Sequence, residues 1–378
     1  MNFEKYPFEK LNELLENVTP NSKYELSALT IGEPKFETPQ FIQDALIEST
    51  PLLQKYPASA GMPELKESMI NFVNKRFKVA LQLDEIIPTF GTREALFNFP
   101  QYVLFDKLNP TMAYTNPFYQ IYEGAATASR AEVIHIDLIK ENNFEAKLSE
   151  EELEKCDLVI LNYPNNPTSA QMAKEKMVSW VKNALKYDFV LVNDECYSEI
   201  YFDEEDKPCS LLEASIEAGN EKFKNIIVMN SISKRSSAPG LRCGFVAGDK
   251  EILKGYMQYR TYVGCASPVP LQIAATKAWN DEEHVQGFRK IYKENFKIAY
   301  EILGIKAPQA SFYIWLEVKD ELEFTKKLFE QKHIKVLPGS FLGRNGIGKG
   351  YVRIALVENP TKTREVLTRL KEFIDEQK

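Results

Sequence analysis

Seven short apolar runs between residues 85 and 249 constrain the fold more than any other feature of this chain. They read EIIPTF, TMAYT, EVIHID, DLVILNYP, FVLVND, NIIVMN and CGFVAGD, and longer segments of helical character separate most of them. Alternation of this kind builds a mostly parallel sheet with helices on both faces, an α/β architecture. The segment AKEKMVSWVKNALKYD gathers Met177, Val178, Trp180, Val181 and Leu185 near one helical face, as a crossover helix between DLVILNYP and FVLVND requires. CGFVAGD follows NIIVMN after a short connection with no helix, which predicts an antiparallel strand there.

Beyond residue 280 the texture changes. EEHVQGFRKIYKENFKIAYEIL reads as a long charged helix, SFYIWLEV and YVRIALV as strands, and KTREVLTRLKEFIDEQK as a final helix. The expected organisation is a large domain over residues 40–280 and a smaller α+β domain over 281–378. Residues 1–39, with a helix and the Gly32-Glu33-Pro34 turn, are expected to pack with the smaller domain. No internal repeat or low-complexity segment interrupts this plan.

Charge and cysteine usage exclude several classes of function. A net charge of -7 and a pI near 5.4 argue against nucleic acid as a partner, because binding a phosphate backbone needs an extended basic surface. The five cysteines are odd in number and lack C-x-x-C spacing, and the three histidines are scattered, so neither a disulfide framework nor a metal site is expected. The amino terminus mixes charged and apolar residues, without the apolar core of a signal peptide, and no run approaches the roughly 20 apolar residues of a spanning helix. A cytoplasmic protein without a membrane partner is the expectation.

Ligands of open α/β sheets bind beyond the carboxyl ends of the strands, so the residues that follow the apolar runs are read together. EIIPTF leads into Gly91, Thr92, Arg93 and Glu94, where a helix start offers free N–H groups to a phosphate. TMAYT is followed by Asn116-Pro117-Phe118-Tyr119, DLVILNYP by Asn165-Asn166-Pro167-Thr168, and FVLVND ends in Asp194 with Tyr197 three residues on. NIIVMN leads to Ser231, Ser233 and Lys234, with Arg242 eight residues after the lysine. These ends deliver an amine, an acid, an amide, phenols and phosphate donors, a set that suits pyridoxal phosphate. A lysine amine forms a Schiff base with its aldehyde, an aspartate keeps its pyridine nitrogen protonated, and a guanidinium with hydroxyls holds its phosphate.

At these residues the sequence resembles the fold-type I, class I/II pyridoxal-phosphate-dependent aminotransferases. The resemblance spans nearly the whole chain: Gly32, Tyr56 with Gly61 five residues later, GTREALF, NPFYQIYEG, NYPNNPT, NDECYSEIYF, SISKRSSAPGLRCGF and YVRIAL. Any one of these is ordinary, and their order and spacing together are specific. The resemblance implies a mostly parallel seven-stranded sheet in the large domain. It also implies that Lys234, Asp194 and Tyr197 are catalytic and that Lys234 carries the cofactor. Asp194 would face the pyridine nitrogen, Tyr197 and Asn166 the phenolic oxygen, and Tyr119 would stack on the ring. Gly91, Thr92, Arg93, Ser231, Ser233 and Arg242 would surround the phosphate, joined by Tyr56 from the partner subunit of a homodimer. Gly32, Asn166 and Arg353 would bind substrate, Arg353 clamping the α-carboxylate as a bidentate fork. From the residues themselves Arg93 stays open between substrate, phosphate and solvent.

A narrower resemblance, carried by GTREALF, NPFYQIYEG, SKRSSAPGLRCGFVAGD and YRTYVGCASPVPLQIAATKAW, is to the N-succinyldiaminopimelate aminotransferases of bacterial lysine and cell-wall synthesis. It implies a small-molecule amino donor, glutamate, and a 2-oxo acid acceptor, N-succinyl-2-amino-6-oxopimelate. Ser169 departs from the wider family, which usually has glycine after Asn-Pro-Thr. Competing readings are an aminotransferase for aspartate, aromatic or other amino acids, a carbon–sulfur β-lyase on the same scaffold, and a non-catalytic cofactor-binding protein.

Overall fold

A computed structural model describes residues 3–377. Its first strand, β1 (Ser27–Ala28), lies near the amino terminus. The next seven are β2 (Ile86–Thr89), β3 (Thr111–Asn116), β4 (Glu132–Asp137), β5 (Leu158–Leu161), β6 (Val190–Asp194), β7 (Ile226–Ser231) and β8 (Gly244–Gly248). They form one sheet in the order β2-β8-β7-β6-β5-β3-β4. β4, β3, β5, β6 and β7 run parallel, and β8 is antiparallel to both β7 and β2. The seven strands, and the reversed direction of β8, follow the expectation from the apolar runs. β8 reverses because residues 232–243 hold only the short helix Ile232–Arg235 and one 3-10 turn, Pro239–Leu241, too little for a crossover helix.

The apolar runs are unbroken because both faces of the sheet are covered. Val159, Leu161 and Leu191 point into one core with Phe72, Trp180, Val181 and Trp279, while Leu158, Ile160 and Val192 point into the other with Leu96, Phe99, Tyr122 and Tyr256. Helix Lys174–Tyr187 supplies Met177, Val178, Trp180 and Val181 to the first core, as its spacing predicts. From β3 the chain moves outward to β4 and then returns to β5 on the other side of β3. The strand order therefore reverses between β3 and β5, the position at which an open α/β sheet leaves a crevice at its carboxyl edge.

Four further strands complete the fold: β9 (Tyr313–Glu317), β10 (Ile334–Lys335), β11 (Leu337–Pro338) and β12 (Tyr351–Ala355). β11, β12 and β9 form an antiparallel sheet in that order, and β1 pairs in parallel with β10. Helices Glu283–Leu303 and Pro360–Glu376 close a separate core over it with Phe296, Ile298, Val366, Leu370 and Phe373. Leu11 and Leu15 of helix Pro7–Leu15 pack with Phe329, Leu337 and Leu342, so the amino-terminal residues lie on the carboxy-terminal elements. β10 and β11 have two residues each, too few for an alternation signal in the sequence. Among the described residues no helix is long and apolar enough to cross a membrane, and no group of three or more His, Cys, Asp or Glu side chains is placed to hold a metal ion.

Glu195 fixes the end of β6 to the next helix. Its Oε1 accepts from Leu211 N at 2.8 Å, Ser210 Oγ at 3.1 Å and Asn193 Nδ2 at 3.1 Å, while Oε2 has no partner. Burial pushes this carboxyl up from 4.5 to about 8. The folded chain thus holds the proton more tightly than the unfolded one. The associated stability is fully present below pH 4.5 and is lost as the pH rises through about 8. Glu195→Gln cannot ionise and is expected to gain melting temperature relative to the parent between pH 5 and 8, by roughly a few degrees. A difference that stays constant over that range, followed by calorimetry, would show that Glu195 is not the titrating group.

Candidate active site

The carboxyl ends of β2, β3, β5, β6 and β7 open on one cavity of about 810 Å³. Thr92, Tyr119, Asn166, Asp194, Tyr197, Ser231, Ser233 and Lys234 all line it, one group of residues from each strand end. Arg242 enters from the connection before β8, Gly32 from the segment after β1, and Arg353 from the middle of β12. Residues more than 300 positions apart in the chain thus face one space.

One part of the cavity consists of hydrogen-bond donors. Gly91 caps helix Thr92–Val103 with φ 75°, a left-handed conformation that favours glycine. A Cβ at this position would fall 2.3 Å from Arg242 Nη2, so the guanidinium lies over the bare turn. Arg242 is fixed there by bonds from Nη1 to Pro239 O at 2.9 Å and from Nη2 to Phe90 O at 3.3 Å. With the Thr92, Ser231 and Ser233 hydroxyls and the free N–H groups of the helix start, this donor set fits a phosphate dianion.

Asp194 ends β6 and is buried. Burial pushes its carboxyl up, and donors oppose the push: Tyr122 Oη bonds Oδ2 at 2.9 Å and Cys196 N bonds Oδ1 at 3.2 Å. Asn162 Nδ2 donates to the Asp194 backbone carbonyl at 2.8 Å and tethers the strand end to β5. Lys234 lies in the short helix after β7, and its Nζ donates to Gly32 O. Removal from bulk water lowers its ammonium from 10.5 to about 8, so that about a tenth is free amine at neutral pH, far more than an ordinary lysine offers. An amine of this kind is a competent nucleophile toward an aldehyde.

Arg353 is 5% exposed and stretches between two fixed acceptors, Asn166 Oδ1 at 2.7 Å from Nη1 and Thr30 O at 2.5 Å from Nη2. Its guanidinium also lies over the Tyr313 ring, 4.5 Å from the centroid. Tyr197 Oη is 2.9 Å from Tyr313 Oη, and burial holds the Tyr197 phenol well above its usual range. Arg93 lines the outer cavity, where its Nε donates to Tyr119 Oη at 2.7 Å. Tyr56 is fully exposed and lies outside the cavity of the single chain.

Reasoning from the sequence missed Tyr122, Asn162 and Tyr313. Tyr122 could have been noticed as the second tyrosine in NPFYQIYEG, one helical turn after Tyr119. Asn162 stands in the quoted NYPNNPT motif. Nothing local marks Tyr313. Ser169, the departure from glycine, adopts φ 59° and compensates with a bond from its Oγ to Tyr313 O at 2.9 Å.

The sequence model of the family Aminotransferase class I and II matches residues 25–370. An LL-diaminopimelate aminotransferase of Natranaerobius thermophilus is 32% identical over 98% of this chain and 97% of its own length. Another from Maridesulfovibrio salexigens is 30% identical over 97% and 95%. The crystal structure of aminotransferase AspB from Helicobacter pylori superposes with a TM-score of 0.96 at 49% identity, covering 99% of this chain and all of that one.

The lowered ammonium of Lys234 sets a measurable expectation. Cyanoborohydride trapping of pyridoxal phosphate on cofactor-free protein should label the Lys234 peptide, at a rate that rises with pH about a midpoint near 8. Lys234→Ala should carry no label at this site. A midpoint near the ordinary 10.5 would show that the amine is not withdrawn from water.

Proposed function

The chain belongs to the class I and II aminotransferases, which use pyridoxal phosphate, and from that premise we propose that it passes an amino group from glutamate to a diaminopimelate-type oxo acid, N-succinyl-2-amino-6-oxopimelate. The observation that carries this reading is that, besides Arg242 of the phosphate cradle, two further guanidinium groups face the one cavity. Arg353 sits inside, beside Asn166, and Arg93 sits toward the mouth. Arg93 has no carboxylate partner among the described residues, and its Nε is anchored on Tyr119, which leaves its two terminal nitrogens to meet an anion. A substrate with carboxylates at both ends satisfies both cations.

When bound, the cofactor supplies an aldehyde for an amine and a ring that withdraws electrons from the substrate Cα. The chain supplies the rest in this proposal. Lys234 Nζ would move the proton at Cα. Asp194 would hold a proton on the ring nitrogen by its charge. Tyr197 and Asn166 would donate to the phenolic oxygen, and Tyr119 would cover the ring. Gly91, Thr92, Ser231, Ser233 and Arg242 would cradle the phosphate, and in a homodimer Tyr56 of the partner subunit would reach it. Gly32 offers close backbone approach beside the substrate, and Arg353 takes the α-carboxylate.

Free diaminopimelate is the second reading. Several relatives carry its name, and Glu33, which lines the cavity and has no ion-pair partner among the described residues, would receive a distal ammonium. The N-succinylated acceptor presents an amide and a further carboxylate there instead.

Mixing the cofactor-loaded protein with glutamate is expected to bleach its visible absorbance, and kcat/KM is then compared for succinylated, free and aspartate-type partners. Arg93→Gln should lower kcat/KM for dicarboxylic partners by roughly ten- to a hundredfold while sparing monocarboxylic ones. Equal losses for both groups would remove Arg93 from substrate recognition, and a preference for aromatic partners would replace the proposed substrate class.

A further inference from the structure

Tyr313 lines the cavity and touches three groups around it. Tyr313 opens β9 and is buried. Its hydroxyl meets Tyr197 Oη at 2.9 Å, its ring carries the Arg353 guanidinium, and its carbonyl accepts from Ser169 Oγ in the loop that holds Asn166. Gly32 gives way to it: a Cβ there would lie 1.8 Å from Tyr313 Oη.

We infer that Tyr313 is a positioning residue whose hydroxyl donates to Tyr197 Oη and thereby turns the Tyr197 proton into the cavity. Each phenol has one proton to give. No other side-chain or backbone partner is found for either hydroxyl among the described residues, so their mutual bond decides where the second proton points. With Tyr313 as donor, the Tyr197 O–H is left to meet an acceptor in the cavity. In the proposed function, on which this inference rests, that acceptor is the phenolic oxygen of bound pyridoxal phosphate. Ser169 and Gly32 then serve the same purpose, one fixing the Tyr313 backbone and the other making room for its hydroxyl. The ring has a separate task beneath Arg353, and the two tasks separate chemically, because phenylalanine keeps the ring and loses only the hydroxyl.

Without the Tyr313 hydroxyl the Tyr197 O–H is neither held in place nor polarised by a bond to its oxygen, so it donates less strongly to the phenolic oxygen; that oxygen becomes more basic, and a proton shared with the neighbouring lysine nitrogen is held to higher pH. Tyr313→Phe is therefore expected to raise the pH midpoint of the bound cofactor's visible absorbance by roughly 0.4 to 1 unit. Cofactor-free Y313F should bind pyridoxal phosphate about fivefold more weakly, read by fluorescence quenching. Tyr197→Phe should shift the midpoint at least as far, and the double variant no further than Y197F alone, because the two hydroxyls act in series. A normal midpoint in Y313F beside a shifted one in Y197F overturns the role of Tyr313 and leaves the proposed function intact. Additive shifts overturn action through Tyr197. Normal midpoints in both variants overturn the placement of Tyr197 on the phenolic oxygen, and the inference with it.

Discussion

An amine and a carboxylate withdrawn from water into one cavity form the constraint around which the fold is organised. Desolvation, as the largest cause, drives both groups toward neutrality: Lys234 comes down to about 8, with Arg353 and Arg242 adding to the push, and Asp194 is moved upward. Tyr122 and the Cys196 amide oppose that push on Asp194 by donating to its carboxylate oxygens. Such geometry persists only if its supports are rigid, and here they are strand ends buried on both faces. β6 lies between β5 and β7 at the centre of the sheet, so the carboxylate and the amine hang from adjacent strands joined by backbone hydrogen bonds.

A chain of ion pairs, most of its members buried, ties the same two strand ends together. Arg235, immediately after Lys234, bonds Ala278 O at 2.7 Å and Glu282 Oε2 at 2.8 Å. Glu282 also takes Arg289 at 2.5 Å, Arg289 reaches Glu199 at 3.1 Å, and Glu199 takes Arg76 at 3.0 Å. Glu199 stands two residues beyond Tyr197, so the connection after β6 and the connection after β7 share one chain of charges. Removing Glu282 would leave the buried Arg235 guanidinium without its carboxylate, a cost of several kcal/mol that favours the intact set. The helix Glu283–Leu303, which carries Arg289, is thereby coupled to the position of the lysine.

Much of this was legible because the decisive side chains directly follow unbroken apolar runs. FVLVND names Asp194 as the last residue of a buried strand, and NIIVMN leads into Ser231, Ser233 and Lys234 with no intervening element long enough to displace them. The order of the strands was not legible, since a parallel sheet is assembled from contacts between runs that look alike. Tyr122 and Tyr313 escaped for a related reason. Their hydrogen bonds join residues 72 and 116 positions apart, and no periodicity or motif encodes a contact at such a separation. Tyr56 illustrates the opposite case, a residue named by pattern whose fully exposed side chain completes nothing within one chain.

The guanidinium of Arg353 does more than wait for a carboxylate. Arginine has only donors, so Asn166 must turn Oδ1 toward it, and the amide's other end, Nδ2, is left facing away as a donor. In the proposed function that donor is the one offered to the phenolic oxygen. The residue that clamps the substrate therefore fixes the orientation of one that tunes the cofactor, and Tyr313 beneath the same guanidinium links it to a second. Arg353 belongs to β12 and Asn166 to the loop after β5, so the arrangement exists only when the carboxy-terminal sheet is seated against the main one. A chain that misplaced that sheet would lose the carboxylate clamp and the setting of Asn166 together, which makes the seating of the two sheets a requirement of the chemistry as well as of the fold.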